Sequence, residues 1–391
     1  MRIQSLTLRL LVACGFATTF AGLAVAQTQG VTDSEIVLGS HQDLSGPLAA
    51  MGGPFRDGLI LAAEDINAAG GINGRKIRII VEDNGYDPKK AVLATQKMLN
   101  QDKVFALIST LGSATTSASM PLATDRGVPV LFAGSATESA YLPYSPLKFG
   151  LATLNWPQVR ASAKYAYEKL GKRRFGILYQ DDDTGLGTLR GVEDQLKAHG
   201  LSLVERTSYK RGEIDFSAQI ARLKAADVDV VMLGTIVRET AAAEIEAKKQ
   251  NWPVDMIATQ SASHVATLKL GGPALEGMYL TTQFLGSAQE ITPELKAVMD
   301  RYKARFGRDM VDGVNYSYTA MMLFAEGAKN AGRDLTPQTL AQGLEKVKNF
   351  KTVFEAPPVS YAPNDHAPPS ATIMMQVRGG KFTPVTGPIT Y

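Results

Sequence analysis

The sequence predicts an α/β fold of two doubly wound lobes, and three observations carry that prediction. Strand-like and helix-like segments alternate along most of the chain, the pattern that lays a parallel sheet between two helical layers. The 365 residues that follow Ala26 in a chain of 391 exceed what one hydrophobic core holds. The alternation breaks once, between Gly134 and Leu154, into Gly, Ser, Pro and Tyr, and then restarts. That break marks the first domain boundary.

Met1 to Ala26 reads as a processing segment. Arg2 and Arg9 give a positive start, Leu10 to Val25 is apolar and small, and Ala24-Val25-Ala26 forms a cleavage site. Leu11-Val12-Ala13-Cys14 has lipoprotein-box character, but Arg9 stands only five residues before Cys14 and leaves too short an apolar stretch ahead of it. Cleavage after Ala26 is therefore expected, with the mature protein exported. Cys14 is the only cysteine and leaves with the leader, so neither a disulfide nor thiol chemistry is expected. The chain carries 41 basic and 38 acidic residues, and without Arg2 and Arg9 the balance is 39 to 38. A nucleic-acid binder should be basic over one face, and this composition asks for no such partner.

The first elements after the leader are a strand over Ile36 to Gly39 and a helix over Phe55 to Ala69. Phe55, Leu59, Ala62, Ala63 and Ile66 recur at helical spacing. Gly70-Gly71 ends that helix, and Asn73-Gly74 turns the chain into a β-branched strand from Lys76 to Glu82. Asp87 caps a helix from Pro88 to Gln101, with proline where its missing donor does no harm. A strand over Val104 to Ser109, a helix over Thr116 to Thr124 and a strand over Val128 to Phe132 complete the first run. After the break come a helix from Pro157 to Leu170 and a strand from Arg174 to Tyr179. Helices over Gly185 to His199, Asp215 to Ala225, Arg238 to Lys249 and Ala262 to Lys269 follow, with strands between. Further helices start at Thr292, Val314 and Thr336, and the Pro-rich Ala356 to Pro369 stretch reads as an ordered loop.

Motifs for catalysis are scarce. The four histidines show no metal-ligand spacing, and no G-x-S-x-G elbow occurs. Ser145-Pro146-Leu147-Lys148 matches S-x-x-K in form, but Pro146 sits in a broken region where that motif needs a helical turn. Gly185, Gly187 and Gly191 approach a nucleotide fingerprint with the third glycine one residue late. Asp181, Asp182 and Asp183 directly ahead of them would repel a pyrophosphate. A calcium loop counted from Asp181 meets Val192 where the twelfth position needs glutamate. No metal or cofactor is expected, and no enzyme activity.

Two small, polar loops say more. Gly112-Ser113-Ala114-Thr115-Thr116 and Gly134-Ser135-Ala136-Thr137 each follow a predicted strand, at the end where open α/β sheets bind ligands. Backbone amides at a helix start, with hydroxyls beside them, hold a carboxylate without any cation. The competing use of such residues is helix capping.

The phrase Ile66-Asn67-Ala68-Ala69-Gly70-Gly71-Ile72-Asn73-Gly74-Arg75-Lys76, with Glu82-Asp83-Asn84 closing the next strand, resembles the periplasmic solute-binding proteins of ABC transporters. The branched-chain amino-acid-binding type is the nearest likeness. Asp87-Pro88, Asp102-Lys103-Val104 and Tyr361 to His366 fit the same pattern, and the likeness runs from Ile36 to about Val385. It implies a type I, Venus-flytrap fold whose lobes are joined by crossover segments. The first lobe would comprise 27–150 and 283–353, the second 151–282 and 354–391.

The resemblance also implies a site. Ser113 matches a serine that holds the ligand carboxylate, while Ser135 and Thr137 match a backbone carbonyl and a hydroxyl that hold the ammonium and carboxylate. Thr115 and Ala136 belong to the same two loops, and Met51 falls where a tyrosine often lines the pocket. In the second lobe the pattern departs: Thr184 and Ile236 stand where aromatic residues are common, and Gln260 where an acid answers the ammonium. Either Asp182 or Asp183 then supplies that charge, or the ligand lacks an α-amino group. The function implied is capture of an amino acid or related organic acid, delivered by a monomer to ABC permease subunits. A periplasmic sensor of the same fold is the alternative, and a periplasmic hydrolase the more distant one.

Overall fold

A computed structural model describes residues 28–391. The leader and the Cys14 reading fall outside the described residues. The strands are β1 (Glu35–Gln42), β2 (Lys76–Asp83), β3 (Ala106–Ile108), β4 (Val130–Leu131), β5 (Lys148–Phe149), β6 (Phe175–Gln180), β7 (Glu205–Tyr209), β8 (Val230–Gly234), β9 (Asp255–Ala258), β10 (Tyr279–Thr282), β11 (Thr372–Arg378) and β12 (Lys381–Ile389). The helices are α1 (Ala49–Ala68), α2 (Pro88–Asn100), α3 (Ser113–Thr124), α4 (Asn155–Glu168), α5 (Asp183–Ala198), α6 (Ser217–Ala225), α7 (Val237–Lys249), α8 (Val265–Gly271), α9 (Pro293–Phe306), α10 (Val314–Ala331) and α11 (Pro337–Glu345).

The strands form two sheets, one per lobe. The first has five strands in the order β2-β1-β3-β4-β5, all parallel. The second has seven in the order β12-β11-β10-β9-β8-β6-β7, parallel except for the antiparallel pairings of β11 with β10 and β12. Each sheet is covered on both faces. α1, α10 and α11 pack over one side of the first sheet, and α2 with α3 over the other. α4 and α5 cover one side of the second sheet, with α6 and α7 opposite. Such two-sided burial needs near-continuous apolar strands, and β3 and β8 are buried throughout.

Local chemistry explains where the expected boundaries move. α1 starts at Ala49, six residues before Phe55, because Asp43 folds the preceding loop. Its carboxylate accepts from the amides of Ser45, Gly46 and Leu48 at 3.2, 2.5 and 2.6 Å. Met51 is thereby helical. Asp87 caps α2 as expected, accepting from the amides of Lys89 and Lys90. Gly185 lets α5 start close to the sheet: a Cβ there would lie 1.9 Å from the Gln180 carbonyl oxygen.

One boundary needs correction. Residues after Phe354 do not cross at once to the second lobe, since Phe354, Val359 and Tyr361 are buried in the first lobe's core. The Tyr361 hydroxyl donates to the Gly150 carbonyl at 2.5 Å, and the His366 ring stacks on Phe149 at 3.6 Å. The chain rejoins the second sheet only at Thr372. Periodicity is blind to this because a Pro-rich loop carries no repeat.

Candidate functional site

Both sheets present the carboxyl ends of their strands to one interlobe space. The residues that follow β3 and β4 directly, Ser109 and Phe132, have positive φ values of 51° and 53°. A left-handed non-glycine residue is held only where its surroundings over-determine it, and such residues cluster at ligand sites. Each bend launches one of the two polar loops.

In the first loop, Gly112 stands before α3 and supplies no side-chain cap. Ser113 is the first residue of the helix, so its hydroxyl is not the capping group. The first amides of α3 have no acceptor within the helix. Thr115 turns the other way: its Oγ1 donates to the carbonyls of Leu111 and Gly112 at 2.6 and 3.0 Å. In the second loop, the Ser135 and Thr137 hydroxyls pair at 2.9 Å. The Tyr141 hydroxyl lies 3.0 Å from the carbonyls of both Ala133 and Ser135, and Tyr316 donates to the Ala133 carbonyl at 2.7 Å.

These loops form one wall of a cavity of about 110 Å³. Ser113, Ser135 and Ala136 line that wall, with Met51, Leu48, Phe55, Tyr86 and Tyr316 from the same lobe. Thr184, Ile236, Gln260 and Ser261 form the opposite wall, and Ala152, Thr282, Gln283 and Phe284 the joining strands. Gln283 ties those strands together, accepting from the Thr153 amide at 3.0 Å and donating to the Leu151 carbonyl at 2.8 Å.

Of the residues singled out from sequence, Met51, Ser113, Ser135, Ala136, Thr184 and Gln260 converge on the cavity, whereas Thr115, Thr137 and Asp183 do not line it. Thr115 is a strut within its own loop. Thr137 and Asp183 lie instead on an outer groove with Glu138, Trp156 and Arg190. Tyr86, Phe284 and Tyr316 were invisible to motif reading. Their only signal is being aromatic residues beside strand ends or at a helix start, and that does not separate wall from core.

The lobes touch across the cavity mouth. Arg190 pairs with Glu138 at 2.6 Å. Arg211, from the second lobe, sits 4.6 Å over the Tyr86 ring, donates to the Tyr86 carbonyl at 3.2 Å and pairs with Asp182 at 2.7 Å. The buried Tyr86 hydroxyl is pushed up to about 12, chiefly by desolvation and then by the Asp182 charge, so it stays protonated and acts as a neutral wall group. Replacing Arg211 by alanine removes the cation from the aromatic face and one partner of Asp182. Closure should weaken, and ligand affinity should fall by about tenfold, the scale of one partly buried cation–π and ion-pair contact. Titration of Arg211→Ala beside wild type checks this, and unchanged affinity would remove the clasp from the closing mechanism.

Two sheets that face their strand ends across one cavity, with crossing segments between, define a two-lobed ligand-binding protein. The sequence pattern of the periplasmic binding protein family matches residues 35–381, and the chain belongs to that family. It is 30% identical over 297 residues to the Leu/Ile/Val-binding protein of Escherichia coli (strain K12), covering 76% of this chain and 77% of that one. Among solved structures it resembles the branched-chain amino acid transporter substrate binding protein of Streptococcus pneumoniae in complex with isoleucine. That match has a TM-score of 0.79 at 23% identity, over 92% of this chain and 100% of the other. A solute binding protein from R. palustris in complex with benzoate matches with a TM-score of 0.78 at 18% identity, over 90% and 96%.

Proposed function

We propose that this protein is the exported binding component of an ABC importer. It captures a small carboxylate-bearing solute between its lobes and delivers it to a membrane permease. The observation that carries this reading is the wall of the interlobe cavity where Ser113 and Ser135 meet the free amides of α3. A helix start combined with hydroxyls offers a carboxylate several donors and a favourable dipole without any cation. Relatives of this family that bind leucine, isoleucine and valine support the solute class.

Binding starts on the first lobe, whose wall holds the donors. Thr184, Ile236 and Gln260 then close over the solute, and contacts to both lobes stabilise the closed form. Export follows from the leader reading, and no helix among the described residues is long and apolar enough to cross a membrane. The protein acts as a monomer that meets the permease in its closed form.

The test combines a thermal-shift screen over amino acids and organic acids with small-angle scattering. A ligand present at a hundred times its Kd stabilises the native state by about 2.7 kcal/mol and raises the melting temperature accordingly. The best hit should also shrink the radius of gyration. A scattering curve that stays the same at saturation would exclude closure, and a screen without carboxylate hits would exclude the solute class.

A further inference from the structure

The cavity is well supplied with hydrogen-bond donors and poor in acceptors. Among the described residues, no Asp, Glu, Lys or Arg lines it. Five of its backbone carbonyls already accept hydrogen bonds. Leu111 accepts from Thr115, and Gly134 from the Gly112 amide at 3.1 Å. Ser135 accepts from Tyr141, Ala136 from the Asn155 amide at 2.8 Å, and Thr184 from Asn155 Nδ2 at 3.0 Å. Gln283 uses both ends of its amide. Gln260 donates to the Thr153 carbonyl at 2.8 Å, which leaves its neutral Oε1 for the cavity.

Neither carboxylate expected to replace a missing acid lines the cavity. Asp182 is bound by Arg211 at 2.7 Å, by Gln180 Nε2 at 2.5 Å and by the Thr184 amide at 3.0 Å. Asp183 is exposed on the outer groove. Asp312 lines an adjoining cavity that shares Met51, Phe55, Thr282, Phe284 and Tyr316 with the first, but none of the Ser113 or Ser135 loop. Aromatic faces give a cation little more: Arg211 covers Tyr86, and Phe55 and Tyr316 stack on each other at 5.0 Å.

In an α-amino acid the ammonium is two bonds from the carboxylate carbon. A carboxylate held at Ser113 therefore puts the ammonium against this same acceptor-poor wall, where burial without a charge partner is costly. Resting on the carboxylate site described above, we propose that the protein selects carboxylates without an α-amino group, aliphatic or aromatic monocarboxylates, and rejects the matching α-amino acids.

The experiment is calorimetric titration of the full protein with matched pairs: propanoate and alanine, 3-methylbutanoate and valine, 4-methylpentanoate and leucine, 3-phenylpropanoate and phenylalanine. Within the pair that fits best, the acid without the amine should bind roughly a hundredfold tighter or more. A second arm places a carboxylate in the wall. Gln260→Glu is the poorer choice, because its new oxygen would face the Thr153 carbonyl. Ser261→Asp displaces no such bond and should narrow or reverse the preference, with circular dichroism and melting confirming that the variant is folded. An amino acid that equals or exceeds its partner in wild type overturns the selectivity. If Ser113→Ala then weakens that amino acid, the carboxylate site itself stands. Failure of every pair to bind overturns both readings.

Discussion

Gly112→Ala should reduce solute affinity by roughly a hundredfold or more, a larger loss than removing any single hydroxyl from the wall. Gly112 has φ 102° and ψ 135°, a region that costs a side-chain-bearing residue about 1–3 kcal/mol. A Cβ there would also lie 2.8 Å from the Tyr86 ring and 2.5 Å from Thr115 Oγ1. Tyr86 is only 2% exposed and carries Arg211 on its face, so it has little room to retreat. The loop must move instead, and the free amides of α3 move with it.

Ser113→Ala is the finer probe of the same wall. Losing one hydrogen bond to a charged acceptor should weaken binding roughly ten- to a hundredfold. Because Ser113 is not the capping residue of α3, stability should hardly change. Thr137→Ala should leave affinity nearly intact, since that hydroxyl answers Ser135 and Ser139 and not the cavity. Calorimetry with parallel unfolding of the three variants separates these outcomes. Full affinity in both Ser113→Ala and Gly112→Ala would put the carboxylate elsewhere.

The contrast between Ser113 and Thr137 shows what the sequence could reveal. Strand–helix alternation, the Asp87 cap and the Thr292 and Thr336 helix starts are local chemistry, written in neighbouring residues, and they appear where expected. Which loops flank the cavity was legible too, because strand ends in an open sheet are a topological address. The direction of each side chain was not. Thr115 and Ser113 are two residues apart at the start of one helix, where a turn of about 200° separates them, so one faces the cavity and the other its own loop. The fate of Asp182 was also beyond reach. Its partner Arg211 comes from a loop after β7 whose sequence gives no sign of reaching across to Tyr86. That single contact takes Asp182 out of the choice of charge partner.

Between pH 6.5 and 8.5 Glu244 by itself should destabilise the wild type by about 2 kcal/mol, and Glu244→Gln should remove that contribution from the slope. Glu244 lies on α7, is 3% exposed and has no ion pair at contact distance among the described residues. Burial pushes its carboxyl up to about 8; Asp255 adds to the rise and Lys248 opposes it. An acid whose folded pKa exceeds its unfolded value costs nothing while both states are protonated. The cost grows as the pH climbs from the unfolded value, and it is fully present only above the folded one. Glu239 is also raised, chiefly by burial, so any contribution from it has the same sign. Around pH 6.5 and below, other groups intervene. Burial lowers His41 and His264 to about 4, so protons taken up by the unfolded chain favour unfolding as the pH falls. Asp312, raised to about 6 by burial, works against them together with Glu244. The window above 6.5 is therefore where Glu244 stands out. Denaturant unfolding of wild type and variant at both pH values reads the slope directly, and it cancels any constant penalty of the buried amide. Equal slopes in the two proteins would mean that Glu244 is ionised and solvated in the native state, with the α7 face open to water.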